Sequence, residues 1–163
     1  MHMFSIELWI TLWIVGITVA RQTTKIDQKG RMIVPAKFRE EMGRNIVVTL
    51  SLDEGILSAY SAERFSGMKA QFSSLNSMEV DVREVTRYII GEALPCELDS
   101  QGRVSISSEL WDHIEASAGD EIYVVSYGDK LEISKKTFYE SMKKKLGAEI
   151  TTRDLGKYNV TGL

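Results

Sequence analysis

Beyond residue 20, apolar and polar positions fall into two similar patterns. Thr24-Lys25-Ile26 and Cys96-Glu97-Leu98 alternate with period two, as half-buried strands do. A four-residue turn signature follows each, Asp27-Gln28-Lys29-Gly30 and Asp99-Ser100-Gln101-Gly102. Aspartate in first place can hydrogen-bond the backbone ahead of it, and glycine in fourth place tolerates positive φ. This predicts a hairpin with a type I turn and a left-handed glycine. Its second arms run over Arg31–Val34 and Arg103–Ser107. A short helix comes next. Pro35 suits its first turn, Phe38 and Met42 make the apolar stripe, and Gly43 stops it. In the second copy Ser107 or Ser108 serves as N-cap, Leu110 and Ile114 form the stripe, and Gly119 ends the element. A strand pair closes each unit. Ile46–Ser51 pairs with Ile56–Tyr60 across Asp53-Glu54-Gly55, and Glu121–Tyr127 with Lys130–Ile133 across Gly128-Asp129. Each unit therefore reads β-β-α-β-β.

The two units are copies of one another. Ile26 to Arg31 recurs as Leu98 to Arg103, 72 residues later, and Val34 and Phe38 match Ile106 and Leu110. Ser61 can cap a helix with Phe65, Met68, Phe72 and Leu75 on one face, which Asn76-Ser77 breaks. A second helix, roughly Met78 to Ile90, buries Val82, Val85 and Ile89 and turns Arg83 and Arg87 outward. Ser134 caps a last helix with Phe138, Met142 and Leu146 inward, and Gly147 to Leu163 reads as a loose polar tail. The chain divides into an apolar extension (1–20), a first module (21–66), a helical spacer (67–92), a second module (93–138), and a helix end with tail (139–163). A four-stranded unit buries little core alone, so the two should intertwine across a pseudo-twofold.

The extension stands apart. Leu8 to Ala20 is 13 residues without a charge, short of the roughly 20 needed to span a bilayer. It also lacks the basic n-region of a signal peptide. Three readings stay open: a start assigned upstream of the true one, a membrane or interfacial anchor, and a buried apolar segment. Membrane contact is expected only through residues 1–20, and all three readings keep the main body cytoplasmic.

Composition is that of an ordinary globular chain: 163 residues, net charge −3, 44 % hydrophobic and 26 % charged. One cysteine, Cys96, excludes an intramolecular disulfide and suggests a reducing compartment. An acidic total still permits basic patches. Arg21 to Arg44 holds seven cations against Asp27, Glu40 and Glu41, and Lys135 to Lys145 holds five against Glu140. Signatures of phosphate-loop, nucleophile-elbow, dinucleotide and zinc-peptidase chemistry are absent from the sequence. His2 and His113 with Cys96 make a poor metal set, and Cys96 is more simply a small buried side chain than half of a nucleophile pair with His113. No cofactor and no enzymatic activity are expected.

The repeated turns carry the candidate chemistry. Arg31 and Arg103 stand just past their glycines, with Lys29 beside the first. A two-stranded ribbon can enter a DNA major groove, where arginine pairs bidentately with guanine. The plainer role is that Arg31 pairs with Asp27 and braces its own turn, and both roles are compatible.

The duplicated D-x-x-G-R, the stretch KIDQKGRMIVPAKFREEMG, the CELDSQGR second copy and the two-helix spacer resemble the MraZ family. The resemblance covers roughly Arg21 to Leu146. It implies an α+β fold of two tandem ββαββ swapped-hairpin (AbrB-like) modules, forming a β-barrel core with flanking helices. It further implies a nucleoid-associated regulator, mainly a repressor, of the bacterial division and cell wall gene cluster. Members bind short direct repeats in promoter DNA as homo-oligomeric rings. On this resemblance the DNA-contacting residues are Arg31 and Arg103, with Lys29 beside the first; Gln101 and Lys25 are further candidate DNA-binding residues, and Asp27, Gly30, Asp99 and Gly102 form the turns. Ser107 replaces the family proline and Gln101 a basic neighbour, so the first motif is expected to carry more of the binding. Two alternatives remain, an antitoxin that also neutralises a partner toxin and a purely structural ring. The duplication and spacer argue against the antitoxin.

Overall fold

The computed structural model describes residues 20–161. Residues 1–19, which hold nearly all of the apolar run, lie outside the described residues, as do 162 and 163. In chain order the elements are β1 (Arg21–Lys25), β2 (Arg31–Ile33), α1 (Ala36–Met42), β3 (Asn45–Leu50), β4 (Leu57–Ser61), α2 (Ala62–Ser74) and α3 (Val80–Ile89). The second half holds β5 (Leu94–Glu97), β6 (Arg103–Ser105), α4 (Ser108–His113), β7 (Glu121–Ser126), β8 (Lys130–Lys135) and α5 (Lys136–Glu149).

β3 pairs with β4 and β7 with β8 inside each repeat, as expected, and every other ladder joins one repeat to the other. One antiparallel sheet has the order β1-β7-β8-β4-β3-β5, and β2 and β6 form a separate two-stranded ribbon. Exchanging equivalent strands of the two repeats leaves the six-stranded order unchanged when read backwards. Register obeys the same symmetry. Thr24 lies opposite Ile122, and its counterpart Cys96 lies opposite Ile46. On the ribbon Met32 faces its own counterpart, Val104.

This pairing corrects the expected hairpin. Each turn does close, through Asp27 N–H to Arg31 O (2.8 Å) and Asp99 N–H to Arg103 O (3.0 Å). Beyond the turn its two arms part into different sheets. β1 finds five partners on β7, and β2 finds three on β6. Among the described residues the barrel is also not closed: β1 and β5 end the larger sheet.

The core lies between the large sheet, the ribbon and the two short helices. Met32 and Val104 point inward from the ribbon and are essentially solvent-free, as are Phe38, Ile46, Leu57, Ile122, Leu131 and Ile133. Burying a side chain of this size is worth about 1.5–3 kcal/mol. Sequence capping signals hold at two helices: Ser61 Oγ accepts from Arg64 N–H (3.2 Å), and Ser107 Oγ from Leu110 N–H (3.3 Å). Ser134 does not cap α5. It sits buried in β8 opposite Tyr123, and the helix begins two residues later with no side-chain cap. The flanking helices are shallower than their stripes predict. α2 and α5 contain no fully buried residue, and α3 only Ile89. They lie against β3, β4, β7 and β8 without entering the core. α5 also continues through Gly147, and short 3₁₀ turns at Ile150–Thr152 and Gly156–Tyr158 replace much of the expected loose tail. Among the described residues, no helix is long and apolar enough to cross a membrane.

Candidate nucleic-acid interface

Each turn is organised by its aspartate. Asp27 Oδ1 accepts the N–H of both Lys29 and Arg31 at 2.9 Å, and Oδ2 accepts from Arg31 Nε at 2.8 Å. The second turn repeats this. Asp99 Oδ1 accepts from Gln101 and Arg103 N–H at 2.9 Å, and Oδ2 from Arg103 Nε at 2.7 Å. These N–H donors stabilise the ionised carboxylate, with the guanidinium adding to the effect. Both aspartates are thereby held below the ordinary carboxylate range, against the opposing pull of desolvation. Gly30 and Gly102 complete the turns at φ of 75° and 76°, where an L side chain is strained. Arg31 therefore does brace its own turn.

The ribbon then brings the two arginines together. Arg31 stands opposite Ser105, and Ile33 opposite Arg103. Met32 and Val104 take the inner face, so alternation puts Arg31, Ile33, Arg103 and Ser105 on the outer one. Arg31 and Arg103 are diagonal neighbours there, a relation that sets α-carbons about 7–8 Å apart. They occupy one face of the ribbon. Their side chains are 24 % and 27 % exposed, clamped at Nε yet open to solvent. Ile33 between them is 51 % exposed. Lys29 and Gln101 are exposed at the turn tips. Lys25 is not on the ribbon; it closes β1 in the larger sheet, opposite Glu121.

Each turn docks on the other repeat. The Gly30 carbonyl accepts from Ile106 N–H (3.3 Å) and from Trp111 Nε1 (2.9 Å), and the Gly102 carbonyl from Val34 N–H (2.9 Å). A Cβ placed on Gly102 would fall onto the guanidinium of Arg39. Trp111 and Arg39 are equivalent, each five residues past Ile106 or Val34. Sequence reasoning passed over both. Aligning the repeats pairs them, but nothing local says that each serves the opposite turn.

Other candidates fall away from this face. Cys96 Sγ contacts the carbonyls of Leu94 (3.4 Å) and Ser105 (3.5 Å), while His113 Nε2 meets Tyr88 Oη at 3.2 Å, so the two form no pair. Burial pushes the Cys96 thiol up to about 11. Among the described residues, no cluster of three or more histidine, cysteine or acidic side chains is placed to hold a metal ion.

A duplicated α+β chain whose repeats share strands, and which sets two aspartate-clamped arginines on one ribbon, belongs to the class of tandem turn-arginine modules. The family described as "MraZ protein, putative antitoxin-like" matches residues 19–88 and 89–156. The chain belongs to the MraZ family. It is similar to proteins named Transcriptional regulator MraZ. That of a Thermoanaerobacter species is 37 % identical over 115 residues, covering 71 % of this chain and 78 % of the relative. That of Caldanaerobacter subterraneus subsp. tengcongensis is 36 % identical over 119 residues, covering 73 % and 81 %. Among solved structures, the solution structure of PHS018 from Pyrococcus horikoshii matches with TM-score 0.31 and 17 % identity, over 73 % of this chain and 94 % of that one.

Proposed function

We propose that this protein is a sequence-specific, DNA-binding transcriptional regulator, acting mainly as a repressor of the division and cell wall gene cluster. The observation that carries the proposal is the outer face of the β2–β6 ribbon, where Arg31 and Arg103 stand diagonally with Ile33 and Ser105. Nε of each arginine is held by its aspartate, which fixes the side chain and leaves the terminal nitrogens for an outside acceptor. A preorganised guanidinium suits bidentate pairing with guanine in the major groove, and an exposed isoleucine suits contact with a thymine methyl. Lys29 and Gln101 at the turn tips approach the phosphates, with Lys25 an outer contributor. The curated relatives named as transcriptional regulators support the same conclusion.

One ribbon makes few phosphate contacts, so a lone protomer binds weakly. Each neutralised phosphate contributes about −0.9 to the slope of log K against log salt. A homo-oligomeric ring engaging several direct repeats makes the later contacts intramolecular and raises avidity by about 10²–10⁴. Repression then follows from occupation of promoter DNA in the cytoplasm, at the nucleoid. The test is a gel shift on the DNA upstream of this gene. Arg31→Ala abolishes the shift while sedimentation shows an unchanged assembly. Retained binding by a folded Arg31→Ala protein overturns the proposal.

A further inference from the structure

The structure assigns Arg39 a role that neither its position in α1 nor the repeated motif declares: it is the phosphate-contacting cation of the second turn. This inference rests on the ribbon being the DNA-binding face. Arg39 is half-buried, and its Nε is shielded from solvent with no hydrogen-bond partner. Arg31, Arg103, Arg44, Arg64 and Arg153 each have a carboxylate partner. Among the described residues Arg39, like Arg21, Arg83 and Arg87, has no carboxylate ion pair, and it is the one of these whose Nε is both shielded and unpartnered. A partly desolvated guanidinium without an anion is costly, and such a group calls for an external partner. Its guanidinium lies against Gly102, next to Arg103, at the point where a Cβ would otherwise sit. The anion that reaches this point, when a duplex lies on the ribbon, is a backbone phosphate.

Charge points the same way. The first turn carries Asp27, Lys29 and Arg31 and docks on neutral Trp111. The second has Gln101 where the first has Lys29, and it docks on Arg39. Counting each turn with its docked residue, both come to one net positive charge. Arg39 therefore supplies from the first repeat the cation that the second turn lacks. On this inference the two turns carry equal charge.

The test measures fluorescence anisotropy of a labelled duplex from the region upstream of this gene, across a salt series, with the full chain. Arg39→Met keeps the aliphatic stem over Gly102 and removes the charge. The expected result is weaker binding on specific and scrambled duplexes alike, and a log–log salt slope shallower by about 0.9 per engaged protomer. Arg39→Lys restores the slope. Arg39→Gln supplies the same comparison if the methionine variant does not fold. A purely structural role would leave the slope unchanged in all three variants, and that result overturns the assignment. Arg31→Ala separates the levels. If Arg31→Ala abolishes binding while folded Arg39→Met keeps the wild-type slope, only the Arg39 role fails. If Arg31→Ala binds normally, the DNA-binding face and this inference fail together.

Discussion

Trp111 Nε1 donates a 2.9 Å hydrogen bond to the carbonyl of Gly30, across 81 positions of sequence. The indole, buried in the second repeat, thus holds the tip of the first repeat's turn. Trp111→Phe keeps the platform and removes the donor. It should cost about 1 kcal/mol, the net worth of one buried hydrogen bond. Trp111→Ala should cost about 3–5 kcal/mol because a cavity is added. Urea midpoints of the two variants check the order. An unchanged midpoint in Trp111→Phe would mean the hydrogen bond contributes nothing.

Acid should loosen the turns before it unfolds the sheet. Asp27 and Asp99 are held below the ordinary carboxylate range, chiefly by the N–H groups of Arg31 and Arg103. A carboxylate with a depressed folded value binds its proton more readily in the unfolded chain. Its contribution is therefore complete above about pH 4 and drains away as pH falls through the folded value. Melting temperatures between about pH 2 and 6 should show this acid limb in the wild type. The double variant Asp27→Asn with Asp99→Asn should flatten it and melt lower at neutral pH.

Gly55 turns the chain between β3 and β4 at φ 75°, and a Cβ there would strike the ring of Phe138 on α5. Gly55→Ala adds left-handed strain to overpacking, together about 2–4 kcal/mol. Phe138→Leu in the same chain should relieve the overpacking and leave the strain. A double-mutant cycle by thermal melts should therefore show favourable coupling.

Cys96 should behave as an inert thiol. With its ionisation pushed up to about 11, only a trace of thiolate exists at neutral pH. Alkylation by iodoacetamide should run about two orders of magnitude slower than in the urea-unfolded chain. Mass spectrometry of the time course measures it, and equal rates would show that the side chain is open in the native state.

Local chemistry was legible in the sequence, and partnership was not. Asp27, Gly30, Asp99 and Gly102 announce their turns because an aspartate and a glycine three apart do the same work wherever they stand. Ser61 and Ser107 announce their caps for the same reason. Period-two alternation tells which face of a strand is buried, but not which strand lies beside it. β1 and β2 therefore looked like one hairpin, although their ladders lie with β7 and β6. The Phe65-Met68-Phe72 stripe marked α2 correctly as a helix and overstated its depth, because periodicity reports a preferred face and not how much covers it. Arg39 and Trp111 gave no signal at all, since their work is done on a turn some 60 to 80 residues away.

The reversible strand order has one more consequence. Cut the polypeptide between α3 and β5, and neither fragment retains a complete sheet; each keeps vacancies shaped for the other. The architecture is a dimer written on a single polypeptide. Fusing the halves removes the concentration dependence that a free pair would suffer, and it allows the copies to diverge, as Trp111 and Arg39 have done.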